Sequence, residues 1–394
     1  MSLLTSLSLL LNYLHRIGLV LSITFGFFFL VLFFDAIFRY LRNRFSPLKY
    51  FHKGFILRCL RTSFISCLIL SISLVTAAIR RSFTDASGFT ISQSLWHSLA
   101  SIINIALTLF VNKYVAGNCL HELYWPRSKL GWLSVSNEPK ARVIRRRGSS
   151  WFVKVTTVLL ITIGTHAITP LVYMYANCFG EFSRVPFISH GGVLRFFIFA
   201  FTQQLWLLLN AIDEETSWRG VVRAVFEKEN KNSTSFLGHS TWTMYLISGL
   251  VYALCHSLNA TWDDVTLYFI MIINLTVEGA VWMYLFRSSN DLSINWINHH
   301  VDDLFSIWFG TSSLASYDLS EGQIYTWSVG NCNQYISGKD FGTGGSLLYG
   351  FQNFWTFIVI FVLKKSFFRN RHGATVGVVN SSLLDEKNGP FYFS

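Results

Sequence analysis

Three groups of polar residues lie within or at the end of strongly apolar stretches of this chain. The side chains are carboxylates, imidazoles and one guanidinium, the groups that enzymes use to activate water and to stabilise an oxyanion. A charged residue inside a membrane span costs roughly 3 kcal/mol, so it is expected to face the protein interior and to serve a function. The groups are Glu214, Glu215 and Arg219; Tyr252 and His256; and His299 and Asp303.

Helical spacing predicts different roles for the two glutamates of the first group. Glu215 and Arg219 are four residues apart, so they share a helix face and can form an ion pair. Glu214 is rotated from Glu215 by about 100° and points elsewhere in the bundle. One carboxylate is therefore neutralised by the arginine, and Glu214 is left as the candidate general base.

The other two groups repeat the spacing of four residues. Tyr252 and His256 share one face of a helix, as do His299 and Asp303, whereas His300 is turned away. Each group alone also has a structural interpretation, as an internal ion pair or as a hydrogen-bonded packing residue. Their occurrence together on neighbouring apolar stretches favours a site.

Other buried polar residues are interpreted as structural. Glu278 has Asn274 one turn before it and is expected to form a hydrogen-bonded pair, or alternatively to line the cavity. His97 and His166 have no companions in the sequence and are assigned no chemistry.

The elements that carry these groups are predicted to be membrane helices. Of the 394 residues, 52% are hydrophobic and only 13% are charged, against about 25% charged in soluble domains. The fold class is therefore all-α, a polytopic helical membrane protein with about eight or nine transmembrane helices. The net charge of +11 indicates attraction to anionic lipid rather than to nucleic acid, since the basic residues lie between the spans.

The apolar stretches predict nine spans. They cover residues 18–34, 55–79, 94–115, 151–176, 193 onward, 241–258, 265–286, 292–309 and 346–363. Four regions follow from this pattern. They are an N-terminal three-span region with a basic cytosolic loop (1–150), a membrane core (151–312), an exoplasmic loop with the last span (313–372) and a disordered tail (373–394).

The first two groups are predicted to lie at one depth of the membrane if the fifth helix continues past Arg219 to a turn near residues 228–240. Glu215 then lies about 13 residues before the turn and His256 about 16 after it. At ~1.5 Å per residue, both lie roughly 20–24 Å along antiparallel helices.

The distribution of Lys and Arg places the N-terminus outside, the C-terminus in the cytosol and the cavity open to the cytosol. Cys178 and Cys332 then both lie in exoplasmic loops, and both a disulfide and two free thiols are open. The first span is expected to be retained. The membrane, endoplasmic reticulum or plasma membrane, is not distinguished by the sequence.

Taken together, the three motifs resemble the signature of the CAAX-protease and bacteriocin-processing family of intramembrane proteases. That pattern has two glutamates with a downstream arginine, an aromatic residue four before a histidine, and a histidine four before an asparagine. The resemblance covers residues 193–309. Trp218 and Tyr252 stand where Phe is usual, and Asp303 replaces the asparagine.

The resemblance implies a metal-independent glutamate protease with no cofactor. Glu214, with His256 beside it, would activate a water molecule, and Glu215 would pair with Arg219. His299, with or without Asp303, would stabilise the oxyanion. The implied partners are membrane lipids, a membrane-anchored (including prenylated) peptide or protein substrate and other membrane proteins, with no nucleic acid.

Three other functions stay open at this point. The histidines and carboxylates could bind zinc, although the HExxH spacing is absent from the clusters. A non-catalytic scaffold, immunity factor or complex subunit could share the same fold. A transporter would need Glu278 and the Glu214 group to titrate during flux.

Overall fold

The computed structural model describes residues 3–42, 53–83, 91–118, 123, 151–175, 182–183, 192–231, 241–259, 265–289, 291–309, 326–327 and 343–364. Almost all of these residues are helical. The helices are α1 (Leu3–Arg42), α2 (Lys53–Phe83), α3 (Ile91–Phe110), α4 (Trp151–Tyr175), α5 (Gly192–Glu215), α6 (Val222–Lys231), α7 (Thr241–Cys255), α8 (Val265–Ser289), α9 (Leu292–Phe309) and α10 (Thr343–Leu363).

These helices confirm the predicted fold class, because each predicted span coincides with a helix. Within the described residues, four segments are long and apolar enough to cross a membrane, and α4 and α10 contain shorter apolar stretches. The protein is an integral membrane protein. The four segments are Thr5–Phe38, Ile56–Ser82, Ser92–Val115 and Tyr268–Ser289.

One small strand pairing accompanies the helices. Strand β1 (Phe182–Ser183) pairs antiparallel with β2 (Thr326–Trp327). The pairing joins the connection between α4 and α5 to the connection between α9 and α10. Cys178, Cys332 and the predicted disordered tail lie outside the described residues.

A long helical segment built from α5 and α6 forms the centre of the bundle. A π-helical turn, Thr216–Val221, joins the two helices without a break. The fifth helix therefore continues past Arg219, as predicted. On one side α5 packs against α3 and on the other against α9, while α6 packs against α2 and α7.

Close packing of α7 on α8 depends on two glycines. A Cβ atom added at Gly249 would lie 2.2 Å from the carbonyl oxygen of Thr276, and one at Gly279 would lie 2.8 Å from the Cα of Gly249. Small residues of this kind let membrane helices approach backbone to backbone. This crossing brings α7 and α8 together beside the π turn.

The start of α9 is fixed by a capping aspartate. The backbone N–H of Ser293 donates to Asp291 Oδ1 at 3.0 Å, which satisfies one of the unpaired donors of the first turn. Lys154 of α4 forms an ion pair with Asp291 Oδ2 at 3.1 Å. These contacts hold in place the helix that carries His299.

The proposed boundary near residue 150 stays a prediction. Both α2 and α3 make tertiary contacts with helices of the membrane core, α2 with α6 and α7 and α3 with α5. The N-terminal spans therefore pack directly against the elements that carry the candidate site.

Candidate active site

The two glutamates of the first motif are the last residues of regular α5. The π turn that follows them is buried at all six positions. Sequence reasoning assumed a regular α-helix here, and nothing in the local composition distinguishes the wider turn. Single π turns inside α-helices occur frequently at functional sites.

The predicted ion pair between Glu215 and Arg219 is confirmed. Arg219 Nη1 donates to Glu215 Oε1 at 2.9 Å, and both side chains are at most 1% exposed. The guanidinium carbon of Arg219 lies 4.5 Å from the ring centroid of Tyr252 and 5.8 Å from that of Trp282. Two aromatic faces thus shield a charge whose burial requires the neighbouring carboxylate.

His299 binds the same oxygen of Glu215. Its Nδ1 lies 2.9 Å from Glu215 Oε1, which assigns the proton to Nδ1 and leaves Nε2 facing the other carboxylates. Nε2 is 3.8 Å from Glu214 Oε2 and 3.8 Å from Asp303 Oδ1. The predicted proximity of His299 and Asp303 is confirmed, and His299 has a second carboxylate partner in Glu215.

His256 is positioned by the end of α7. The carbonyl groups of a last helical turn lack intrahelical partners, and the Tyr252 carbonyl accepts from His256 Nδ1 at 2.9 Å. The same carbonyl accepts from Cys255 Sγ at 2.8 Å. The proton on Nδ1 leaves Nε2 of His256 as a hydrogen-bond acceptor.

Glu214 lies between the two histidines. Its Oε1 accepts from Asn210 Nδ2 at 3.0 Å, and its side chain is 18% exposed. Side-chain ligand atoms of Glu214, Cys255 and His256 lie within 4.8 Å of one another. The predicted proximity of Glu214 and His256 is therefore confirmed, and α5, the end of α7 and α9 together form one site.

His97 and His166, for which the sequence indicated no companions, both have neighbours in the structure. His166 does have a companion, because its Nε2 lies 3.0 Å from Asp302 Oδ1 on α9. The ring of His97 packs edge-on against Trp206 at a centroid distance of 4.9 Å. Pairing between α4 and α9, or between α3 and α5, could not be read from local spacing.

Glu278 is close enough to the site to interact electrostatically with Arg219, His299 and Asp303. Glu278 therefore lies near the candidate site, and both interpretations of it made from the sequence stay predictions. Its helix also supplies Trp282, whose ring lies 5.4 Å from that of His299.

A polar chain behind the site connects α5 to the N-terminal helices. Asp213 Oδ2 accepts from Asn104 Nδ2 at 2.9 Å, and Asn104 Oδ1 accepts from Thr76 at 2.6 Å. The hydroxyl groups of Ser217 and Thr108 lie 3.2 Å apart. These buried contacts hold the turn of α5 that carries Glu214 against α2 and α3.

Asn210, Trp282 and Cys255 belong to the site although sequence reasoning did not include them. A signal existed for Asn210, which lies four residues before Glu214 and so shares its helix face. Cys255 directly precedes His256, but a lone cysteine in a span is commonly an apolar packing residue. The position of Trp282 follows from the crossing of α7 and α8.

The fold and the site define a helical integral membrane protein with a buried glutamate–histidine centre. Residues 194–305 match a family model described as type II CAAX prenyl endopeptidase Rce1-like. The match confirms the resemblance to CAAX proteases over that segment. It runs from α5 into α9, contains all six predicted site residues, and leaves α1–α4 and α10 outside. Searches of curated proteins and of solved structures found no match.

Proposed function

We propose that this protein is an intramembrane endopeptidase of the CAAX type, in which Glu214 activates a water molecule that attacks the scissile carbonyl. One observation carries this proposal. The Glu214 carboxylate lies between His256 and His299, groups contributed by three separate helical elements. Similarity to a prenyl endopeptidase family over the same elements supports it.

Glu214 is the general base. Asn210 occupies Oε1, whereas Oε2 has no hydrogen-bond partner among the described residues and lies on the side of His299 Nε2. As the water oxygen bonds to the carbonyl carbon, Oε2 takes its proton. When the C–N bond breaks, that proton passes to the leaving amine nitrogen. His256, accepting through Nε2, orients the water.

His299 stabilises the negative charge that develops on the carbonyl oxygen. With Nδ1 held by Glu215, the protonated imidazole presents Nε2–H to the oxyanion. Glu215 balances both the imidazolium and the Arg219 guanidinium. The role assigned to Glu215 is thus positional, as an anchor of Arg219 and His299.

The substrate proposed is a membrane-anchored peptide, with prenylated C-terminal peptides as the first class to test. Helices α3 and α8, which pack against the elements that carry the site, are apolar and long enough to cross a membrane, so the site lies beside membrane-spanning helices. The family similarity points to prenylated chains in particular. Membrane lipids surround the site as partners, and no cofactor is needed for these steps.

A metal-dependent form of the same reaction is the second candidate, because Glu214, Cys255 and His256 could together hold a metal ion. Against it, Cys255 Sγ and His256 Nδ1 both donate to the Tyr252 carbonyl, and a protonated thiol is not a metal ligand. His299, the other histidine of the site, is bound to Glu215 instead.

The test is cleavage of a farnesylated peptide ending in a CAAX sequence by the purified protein in liposomes, with the released tripeptide detected by mass spectrometry. Wild type should cleave, and Glu214→Gln should lose at least about 100-fold in rate. Glu227→Gln is a control for the loss of one carboxylate from the same helical segment, because Glu227 pairs with Arg223 on α6. Equal complementation by wild type and Glu214→Ala would instead favour a scaffold.

A further inference from the structure

We propose that Asn210 is a further catalytic residue, whose side-chain amide donates a hydrogen bond to the oxyanion. This inference rests on the proposed function and adds a group to it. Asn210 lies on α5 one turn before Glu214 and is half-buried.

The site needs such a donor. Hydrolysis of a peptide bond places negative charge on the carbonyl oxygen, and fixed N–H groups aimed at that oxygen supply much of the acceleration. Three carboxylates, those of Glu214, Glu215 and Asp303, approach the imidazole of His299. An ionised carboxylate accepts hydrogen bonds and cannot donate one. The carboxylates near His299 therefore cannot help Nε2–H to stabilise the oxyanion, and a second N–H donor must come from another residue.

Asn210 has the right neighbours for this task. Its Nδ2 donates to Glu214 Oε1 at 3.0 Å, and its side chain also interacts with the Asp303 carboxylate. Glu214 and Asp303 in turn each lie 3.8 Å from His299 Nε2. Glu214 thus links the amide of Asn210 to His299 Nε2, and a scissile carbonyl must approach this cluster to meet the water held by Glu214.

An amide nitrogen carries two hydrogens, so Asn210 can serve two acceptors. The first hydrogen stays bonded to Glu214 Oε1 and keeps Oε2 directed at the water. The second hydrogen is donated to the substrate oxygen. As the water oxygen bonds to carbon, the carbonyl π electrons move to the oxygen, and hydrogen bonds from Asn210 N–H and His299 Nε2–H stabilise the resulting negative charge. Collapse of this intermediate re-forms the carbonyl and expels the amine.

A purely structural role for Asn210, that of orienting Glu214, is the competing explanation. The two roles differ in what an amide at position 303 should do. Asp303 lies the same 3.8 Å from His299 Nε2 as Glu214 does, so Asp303→Asn places a donor beside the same oxyanion. That substitution replaces an oxyanion donor, but it does not restore the bond from residue 210 to Glu214.

The experiment measures kcat and KM for a farnesylated CAAX peptide with wild type, Asn210→Leu and the double variant Asn210→Leu/Asp303→Asn. Asn210→Leu should lower kcat by about 10²–10³ with little change in KM. The double variant should have a kcat at least about tenfold higher than that of Asn210→Leu, because the amide introduced at position 303 supplies a new donor to the oxyanion. A double variant no more active than Asn210→Leu would overturn the inference, as would a wild-type kcat for Asn210→Leu.

Two controls keep the outcomes separate. Gln203→Leu removes a buried amide seven residues before Asn210 on the same helix and should leave kcat unchanged. Binding of the uncleaved peptide to each variant shows that the fold is intact. If Glu214→Gln retains activity, the proposed function itself fails. If Glu214→Gln is inactive and the double variant shows no recovery, only the role of Asn210 fails.

Discussion

His299 Nδ1 lies 2.9 Å from Glu215 Oε1, a contact between residues 84 positions apart in the sequence. The same oxygen accepts from Arg219, so one buried carboxylate holds both an arginine of the π turn and an imidazole of α9. This relationship holds a proton on His299 Nδ1 and aims Nε2 at Glu214 and Asp303. Glu215 is the residue through which α5 and α9 are joined at the site.

Removal of the Glu215 charge should destabilise the protein strongly. Glu215→Gln leaves the Arg219 guanidinium buried without its carboxylate, and breaking a buried pair on one side costs about 3–5 kcal/mol. Denaturation of the purified protein in detergent measures this loss. Glu227→Gln also breaks an i, i+4 pair, but the Glu227 carboxylate is 31% exposed and water can take its place beside Arg223, so the loss should be smaller. Equal losses for the two variants would contradict the assignment.

The aromatic ring of Tyr252 should matter more than its hydroxyl group. Tyr252→Phe keeps the face on which Arg219 rests at 4.5 Å, so activity and stability should stay near those of wild type. Tyr252→Leu removes that face and should cost about 0.5–2 kcal/mol of stability. Thermal melting and peptide cleavage of the two variants test this. A larger loss of stability or activity in Tyr252→Phe than in Tyr252→Leu would show that the hydroxyl group is the important feature.

The crossing of α7 and α8 should not tolerate a side chain at Gly249. The new Cβ of Gly249→Ala would lie 2.2 Å from a backbone oxygen of α8, which forces the helices apart. Stability should fall by at least about 1–3 kcal/mol, together with loss of cleavage. Gly26→Ala is the control, because no atom lies within 4 Å of a Cβ placed there. Wild-type melting temperature and activity for Gly249→Ala would show that the two helices do not meet in this way.

The metal-independent mechanism predicts that the thiol of Cys255 is dispensable. Cys255→Ala should cleave within a few fold of the wild-type rate, and strong chelators should leave that rate unchanged. If Glu214, Cys255 and His256 held a required metal ion, both Cys255→Ala and strong chelators should lower the cleavage rate strongly. Loss of activity on chelation, with recovery on added zinc, would establish the metal-dependent form.

Spacing within one helix predicted the local part of the site. Apolar runs predicted where the helices lie, because hydrocarbon thickness requires about 20 apolar residues. They did not predict every bound, since α1 (Leu3–Arg42) extends well beyond the predicted span of residues 18–34. The pairing of Glu215 with Arg219 followed from a separation of four residues. The proximity of Glu214 to His256 followed from rise per residue along two antiparallel helices.

Contacts between distant helices were not predictable in the same way. The pairing of His299 with Glu215, and of His166 with Asp302, depends on how α9 is rotated against α5 and α4. The bond from Asn104 to Asp213 likewise requires α3 to pack on α5. A single sequence gives the faces of each helix but not which faces meet. The π turn also lies beyond sequence periodicity, since it changes the rotation of only the residues around it.

The most direct test of Glu214 as the general base measures substrate binding and substrate cleavage separately. Binding of a farnesylated CAAX peptide and its single-turnover cleavage are measured for wild type and Glu214→Gln in the same liposomes. We expect Glu214→Gln to bind the peptide with a Kd within a few fold of wild type and to cleave it about 10²–10⁴ times more slowly, the range that a general base supplies. A Glu214→Gln protein that cleaves at the wild-type rate would contradict this expectation.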